Sequence, residues 1–211
     1  MMRGDEARTD GEAVAASYDA VAGVYIDLFG DEDRAEPEDR EAITAWAAAC
    51  EGPVLDAGCG PGHWTAALAR RGVEATGVDL SGEFLEHARR RHPGLSFQQA
   101  DLRRLPSADG EWAGALAWFS LIHLQPTEVA TVLGEFHRVL VPGGRVLLGF
   151  FTEEGDEPRS FAHQVAPAWA WPPAWVEREL VTAGFSPVVF RPRDATDAQR
   201  AQGHWEAIRV P

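Results

Sequence analysis

Apolar residues along this chain fall into two rhythms: short runs that end at a small or acidic residue, and stretches in which they recur at helical spacing against a polar background. The runs place strands at 53–57, 74–79, 95–99, 113–118, 144–150, 187–191 and 204–209. The helical spacing fills Glu38–Ala49, Trp64–Arg70, Glu83–Arg91, Pro126–Val139 and Pro173–Ala183. Strands and helices alternate, the order of an α/β fold with a doubly wound sheet. The last two of the seven strands are joined by the polar connection Arg193–Gln202. No repeat or low-complexity tract breaks this order, so residues 1–211 read as one domain. Within it, 1–16 are expected to be flexible, 17–50 to form an N-terminal helical cap, and 52–211 to form the core, with an insertion at 155–175.

The first strand runs Val54-Leu-Asp-Ala and opens into Gly58-Cys-Gly-Pro-Gly62. Glycines at the carboxyl end of a first parallel strand let the backbone turn tightly and lie against a ligand. The dinucleotide fingerprint is G-x-G-x-x-G, whereas this chain has G-x-G-x-G with His63 in the sixth place, which disfavours a nicotinamide cofactor. Asp56 adds a carboxylate that repels a pyrophosphate and attracts an ammonium or a sulfonium. The next strand ends in Asp79, 23 residues beyond Asp56, where an acid accepts the hydroxyls of a ribose. A third strand ends in Asp101, placed to accept from an adenine amino group. Taken singly, each Asp also fits a helix cap or turn. Three in order at strand tips make a nucleoside site.

Composition narrows the partners. There are 33 acids against 19 bases, a formal net charge of −14, which argues against nucleic acid as substrate. All the bases are Arg, so no Schiff base can form. The two cysteines, Cys50 and Cys59, fit a reducing compartment, and Cys59 reads as a small packing residue. No run approaches the length of a membrane span and the acidic start is unlike a signal peptide, so the expected location is cytoplasmic, with no membrane partner. The acidic stretch Asp27–Glu41 reads as a solvated loop and helix start.

The glycine turn at 54–62, Asp79, Asp101 and the stretch Phe136-His-Arg-Val-Leu-Val-Pro-Gly-Gly-Arg-Val-Leu-Leu148 stand in the order found in the class I S-adenosylmethionine-dependent methyltransferases, and residues 17–210 resemble that family. The resemblance implies a Rossmann-like seven-stranded sheet, mostly parallel, with one antiparallel strand near the C-terminus. It implies S-adenosylmethionine as cofactor and S-adenosylhomocysteine as product. Gly58, Gly60 and Gly62 would pass under the methionine part, Asp79 and Leu80 would hold the ribose, and Asp101 with Leu102 would frame the adenine. Tyr18 and Tyr25 resemble the segment that folds over the cofactor.

The fourth strand aims Phe119-Ser-Leu-Ile-His123 at the site where methyl transfer belongs. His123 is the first candidate base there, with a structural hydrogen bond as its alternative. Trp118 and Phe119 are candidate walls for the cofactor, the former gaining cation–π attraction to a sulfonium, or else core residues. Ser120 is a candidate acceptor contact. Within 155–175, Trp169, Trp171 and Trp175 are interleaved with Pro167, Pro172 and Pro173, so a rigid lid over the acceptor is expected, with Trp169 and Trp171 lining it. A hydrophobic plug or a homodimer contact is the alternative. His163, on the same segment, is the second candidate base.

Residues 118–125 contain no acid and the chain has no Asn, so no metal is expected and the amino-methylating signature is missing. The expected reaction is transfer of a methyl group to an O, N or C nucleophile of a small, apolar or aromatic acceptor. Two alternatives stay open: a cofactor-binding relative that catalyses a cyclisation or rearrangement, or one that regulates. The Arg-, Ala- and Gly-rich, Lys-free composition looks like a GC-rich bacterial gene, where small-molecule methylation in secondary metabolism ranks first.

Overall fold

The computed structural model describes residues 6–197 and 199–211. Its sheet forms where the apolar runs lie: β1 (Val54–Ala57), β2 (Ala75–Asp79), β3 (Ser96–Gln99), β4 (Trp112–Trp118), β5 (Leu140–Thr152), β8 (Phe185–Arg193) and β9 (Gln202–Arg209) stand in the order β3-β2-β1-β4-β5-β9-β8. β9 runs antiparallel to both its neighbours and the other pairings among these strands are parallel. The chain builds outward from β1 to β3 and then crosses to β4 on the other side of β1. That reversal opens a crevice at the carboxyl ends of β1 and β4.

Alternation along the central strands separates two cores. Leu55, Ala115, Val146 and Leu148 face α5 (Pro126–Val139) and α6 (Pro173–Thr182), packing on Leu133, Phe136 and Leu180. Val54, Leu116 and Leu147 face the other way, against Ile43 and Trp46 of α2 (Pro37–Ala48) and Trp64 and Leu68 of α3 (His63–Arg70). Burial on both faces is why these strands read as continuous apolar runs. Cys59 packs in a third cluster with Leu85, Ala88 and Phe97, beneath α4 (Gly82–Arg91). No helix among the described residues is long and apolar enough to cross a membrane.

The sheet differs from expectation in strand number, nine rather than seven. The two added strands, β6 (Arg159–Phe161) and β7 (Ala168–Trp171), form an antiparallel hairpin within the Trp-rich stretch. β7 pairs in parallel with Phe151 and Thr152 of β5. Phe151 already pairs with Gln202 of β9 on one edge, so β7 occupies the other edge, which β4 vacates after Trp118 pairs with Gly149. The insertion therefore extends the sheet. Helix α1 (Glu6–Phe29) also begins inside the segment expected to be flexible; residues 1–5 of that segment lie outside the described residues.

Candidate functional site

Gly58, Gly60 and Gly62 all have left-handed backbones, with φ of +80°, +53° and +84°. Their positions differ. A Cβ at Gly58 would overlap Ser120 Cβ and stand 2.9 Å from its Oγ, and one at Gly60 would approach only Phe84. A Cβ at Gly62 would meet Phe97 and Ala88 at 2.8–2.9 Å. Gly58 and Gly60 line a cleft under α1; Gly62 lies outside it and lets α3 approach the core. Gly62, expected to pass under the methionine part, stands behind the cleft wall rather than on it.

Asp56 lies deeper than the other expected site acids. It is 2% exposed, lines no cleft, and accepts a hydrogen bond from Thr65 Oγ1 at 2.6 Å, tying β1 to the first turn of α3. Burial pushes its carboxyl up to about 7, against the Thr65 hydrogen bonds. Thr65 is itself fully buried, so the pair is closed to solvent.

Asp79 stands at the cleft floor. Its Oδ2 accepts from Gly60 N and its Oδ1 from Ser81 N, both at 2.8 Å, leaving each oxygen a second lone pair. Burial raises its pKa although these backbone donors oppose the rise. Ser81 caps α4, its Oγ accepting from Phe84 N at 3.1 Å, and donates to Asp19, which fastens α1 across the cleft. At the far end Asp101 is gripped by Arg103 through Nε, Nη2 and the backbone N at 2.7–3.1 Å, and Arg103 also pairs with Glu128 of α5. Burial works against ionisation of Asp101, but Arg103 outweighs it and holds the carboxyl below its usual range.

Tyr18, Tyr25, Gly58, Gly60, Asp79, Leu80, Asp101, Leu102, Trp118 and Phe119 line this one cleft, together with Ser120 and His123. Tyr25 and Phe84 pack at 5.1 Å between centroids, and Tyr18 crosses Tyr25 edge-on at 5.5 Å. Burial, with Asp79 nearby, pushes the Tyr25 hydroxyl up to about 12. Sequence reasoning missed Ser81, Phe84, Arg103 and Glu128, which also line the cleft. The Asp79-Leu-Ser81 step ahead of a helical pattern is a cap signal that would have found Ser81. Glu128 lies 25 residues from Arg103, and nothing local announces that pair.

Phe119 holds φ +56°, the left-handed region that a bulky side chain rarely adopts. Its N–H is anchored to Gly149 O at 3.0 Å, and the turn lays Ser120 onto Gly58. Ser120 Oγ is buried and has no hydrogen-bond partner among the described residues. Ser120 lines the cleft under α1 and not the neighbouring aromatic cleft.

The aromatic cleft shares Tyr18, Tyr25, Gly58, Gly60, Trp118 and Phe119 with the first, and is walled further by Phe29, Trp64, Ile122, Phe151 and His163. Asp31, Arg34, Glu36, Asp39 and Arg193 stand around it. Of the expected lid only residues 163–165 reach it; Trp169 and Trp171 do not. Trp171 is 3% exposed, packs at a tilt on Trp175 with ring centroids 5.0 Å apart and joins the main core, against which Trp169 packs. The plug alternative describes these tryptophans. The side chains belong to β7, whose place in the sheet turns them inward.

His123 is fixed at both nitrogens. Nδ1 lies 2.8 Å from Pro167 O and Nε2 lies 2.8 Å from Tyr18 Oη. A carbonyl only accepts, so Nδ1 carries the proton; neutral His123 then accepts at Nε2 from the Tyr18 hydroxyl. Burial, with His163 adding to it, lowers the His123 pKa, and the Pro167 hydrogen bond opposes this. His163 takes the backbone N–H of Val165 at Nδ1 at 3.4 Å, which leaves its proton on Nε2 and no lone pair facing outward in the neutral ring. Among the described residues no three His, Cys, Asp or Glu side chains converge as metal ligands.

Residues 54–144 match the family described as a methyltransferase domain. The chain is 36% identical over 134 residues to the malonyl-acyl-carrier protein O-methyltransferase of Erwinia billingiae, covering 61% of this chain and 49% of that one. It spans about half the length of such curated relatives. Among solved structures it resembles the 1,6-didemethyltoxoflavin N1-methyltransferase of Burkholderia thailandensis, crystallised with 1,6-didemethyltoxoflavin and S-adenosylhomocysteine, at TM-score 0.79 and 24% identity over 97% of this chain and 91% of that one. It also resembles the 4+2 cyclase SpnF at TM-score 0.78 and 16% identity, over 93% and 95% of the two chains. At these identities the likeness establishes the fold.

Proposed function

We propose that this chain, a member of the class I S-adenosylmethionine-dependent methyltransferases, binds S-adenosylmethionine in the cleft under α1 and moves its methyl group to a small acceptor in the adjoining aromatic cleft. One observation carries the reading. The spare lone pairs of Asp79 and the bare backbone at Gly58 and Gly60 meet on one surface, with the partnerless Ser120 hydroxyl buried directly behind Gly58. Asp79 offers two acceptor sites to a ribose diol, the glycines leave room for an extended amino-acid chain, and the Ser120 hydroxyl, sealed in the free protein, would turn out by a χ1 rotation to meet its charged end. Trp118 and Tyr25 present aromatic faces to a sulfonium. The bound cofactor supplies an electrophilic methyl group. The protein's part is alignment and exclusion of water, with α1 fastened over the cleft by Asp19–Ser81 and Tyr18–His123.

Aromatic walls favour a planar acceptor small enough to enter, and the net charge of −14 opposes a polyanionic one. Bacterial relatives and the composition support a role in bacterial small-molecule metabolism in the cytoplasm. The likeness to SpnF supports a second reading, cofactor binding with a non-methylating cyclisation.

Calorimetric titration of ligand-stripped protein with S-adenosylmethionine and S-adenosylhomocysteine tests the first reading. Both should bind, and Asp79→Ala should weaken both by about 1–3 kcal/mol through loss of the ribose acceptor. A folded wild type that binds neither refutes the proposal. Turnover that leaves S-adenosylmethionine unconsumed would favour the cyclase reading.

A further inference from the structure

We propose that Tyr18, backed by His123, is the catalytic group that takes the acceptor's proton, and that the acceptor is accordingly a phenol-like aromatic hydroxyl. The inference rests on the methyltransferase reading and goes beyond it by naming the proton's path and the substrate class.

Position comes first. Tyr18 lines both clefts, whereas His123 lines the nucleoside cleft and not the aromatic one. An acceptor in the aromatic cleft therefore meets Tyr18 before His123. Hydrogen-bond direction comes second. Pro167 O fixes the proton of His123 on Nδ1, so Nε2 accepts from Tyr18 Oη at 2.8 Å. With its own proton pointed at His123, the Tyr18 oxygen turns lone pairs outward. Burial and the nearby Tyr25 and Asp79 all raise the Tyr18 pKa, so the tyrosinate is disfavoured and the residue passes a proton on instead of storing a charge.

The step balances. As the acceptor oxygen gains the methyl group, its O–H bond breaks and that proton bonds to Tyr18 Oη, while the Tyr18 proton passes to His123 Nε2. The electron pair of the broken carbon–sulfur bond stays on sulfur, and the sulfonium's positive charge reappears on the imidazolium, which is held at Nδ1 by Pro167 O and at Nε2 by Tyr18. His123 then returns its proton to water. Two aromatic neighbours bear on this titration: Tyr18 from α1, and His163 from the β6–β7 turn, whose ring lies 5.3 Å from that of His123 and disfavours the imidazolium.

The substrate class follows from the need for such a relay. A carboxylate acceptor is already ionised near neutral pH and has no proton to give up. It would also face Asp31, Glu36 and Asp39 around the aromatic cleft, against Arg34 and an Arg193 already paired with Asp39 and Glu38. A phenol keeps its proton at neutral pH, and its ring suits walls made by Tyr25, Phe29, Trp64, Phe119 and Phe151.

A purely structural role, a clasp between α1 and the β6–β7 hairpin, uses the same two hydrogen bonds. Acceptor acidity separates the two. The full chain would be assayed with methyl-labelled S-adenosylmethionine in mildly alkaline buffer, with para-methoxyphenol, phenol and para-nitrophenol as probe acceptors, for wild type, Tyr18→Phe and His123→Gln. Both variants should lose roughly 10²-fold or more in kcat toward para-methoxyphenol and phenol. Toward para-nitrophenol, largely ionised before it binds, the loss should be only a few-fold. A loss equal across the three phenols, no loss, or no transfer to any phenol by a wild type that binds S-adenosylhomocysteine would each overturn the relay. A wild type that binds no S-adenosylhomocysteine would instead bring down the methyltransferase reading, and the relay with it.

Discussion

Replacing Ser120 with Ala should push stability and cofactor affinity in opposite directions. In the free protein the Ser120 hydroxyl is buried against Gly58 with no hydrogen-bond partner among the described residues. A buried unsatisfied polar group costs about 1–3 kcal/mol, so its removal should leave the ligand-free variant more stable by about 1 kcal/mol. For a chain of this length that is a rise in Tm of roughly 2–4 °C. Bound to the charged amino-acid end of S-adenosylhomocysteine, the same hydroxyl contributes a hydrogen bond to an ion, worth about 1.5–3 kcal/mol, so Ser120→Ala should weaken Kd about 10- to 100-fold. Methylthioadenosine, which lacks that end, should bind both proteins alike. Thermal unfolding of stripped protein and calorimetry with the two ligands provide the readouts. A variant that is less stable when free, or that loses both ligands equally, would show that the hydroxyl packs the turn and does not read the cofactor.

Trp171→Ala removes a side chain that is 3% exposed and packed against Trp175, and should destabilise the fold by about 3–5 kcal/mol. Unchanged thermal stability with a raised acceptor KM would return Trp171 to the acceptor wall. Asp56 titrates near pH 7 in the folded chain, well above an unfolded Asp, so the folded chain keeps a proton that the unfolded chain releases from about pH 4 upward. The stability this proton confers is fully present below that point and is lost as pH rises to about 7. Asp56→Asn keeps an acceptor for Thr65 and removes the titration, so its Tm should fall less than that of wild type between pH 5 and pH 7; parallel curves would mean that Asp56 is ionised throughout.

What the chain revealed before folding was its local chemistry. The apolar runs of β1, β2 and β4, the left-handed turn at Gly58–Gly62, and the acids Asp79 and Asp101 at strand tips each depend on residues a few positions apart, because backbone dihedrals and burial periodicity are short-range properties. From these the α/β order, the cleft at the strand tips and the family resemblance were legible. Other features depended on which segments become neighbours. Asp56 reads like a ligand acid until β1 is buried on both faces and hands it to Thr65. The tryptophans of 169–175 read equally as lid or core until β4 stops at Trp118 and leaves an edge of β5 for β7 to fill. Tyr18 and His123 are 105 residues apart, and Arg193 meets Asp39 across 154. A side chain carries its polarity and volume in the sequence, but its partner is chosen only when the sheet order brings distant strand tips and α1 to one crevice.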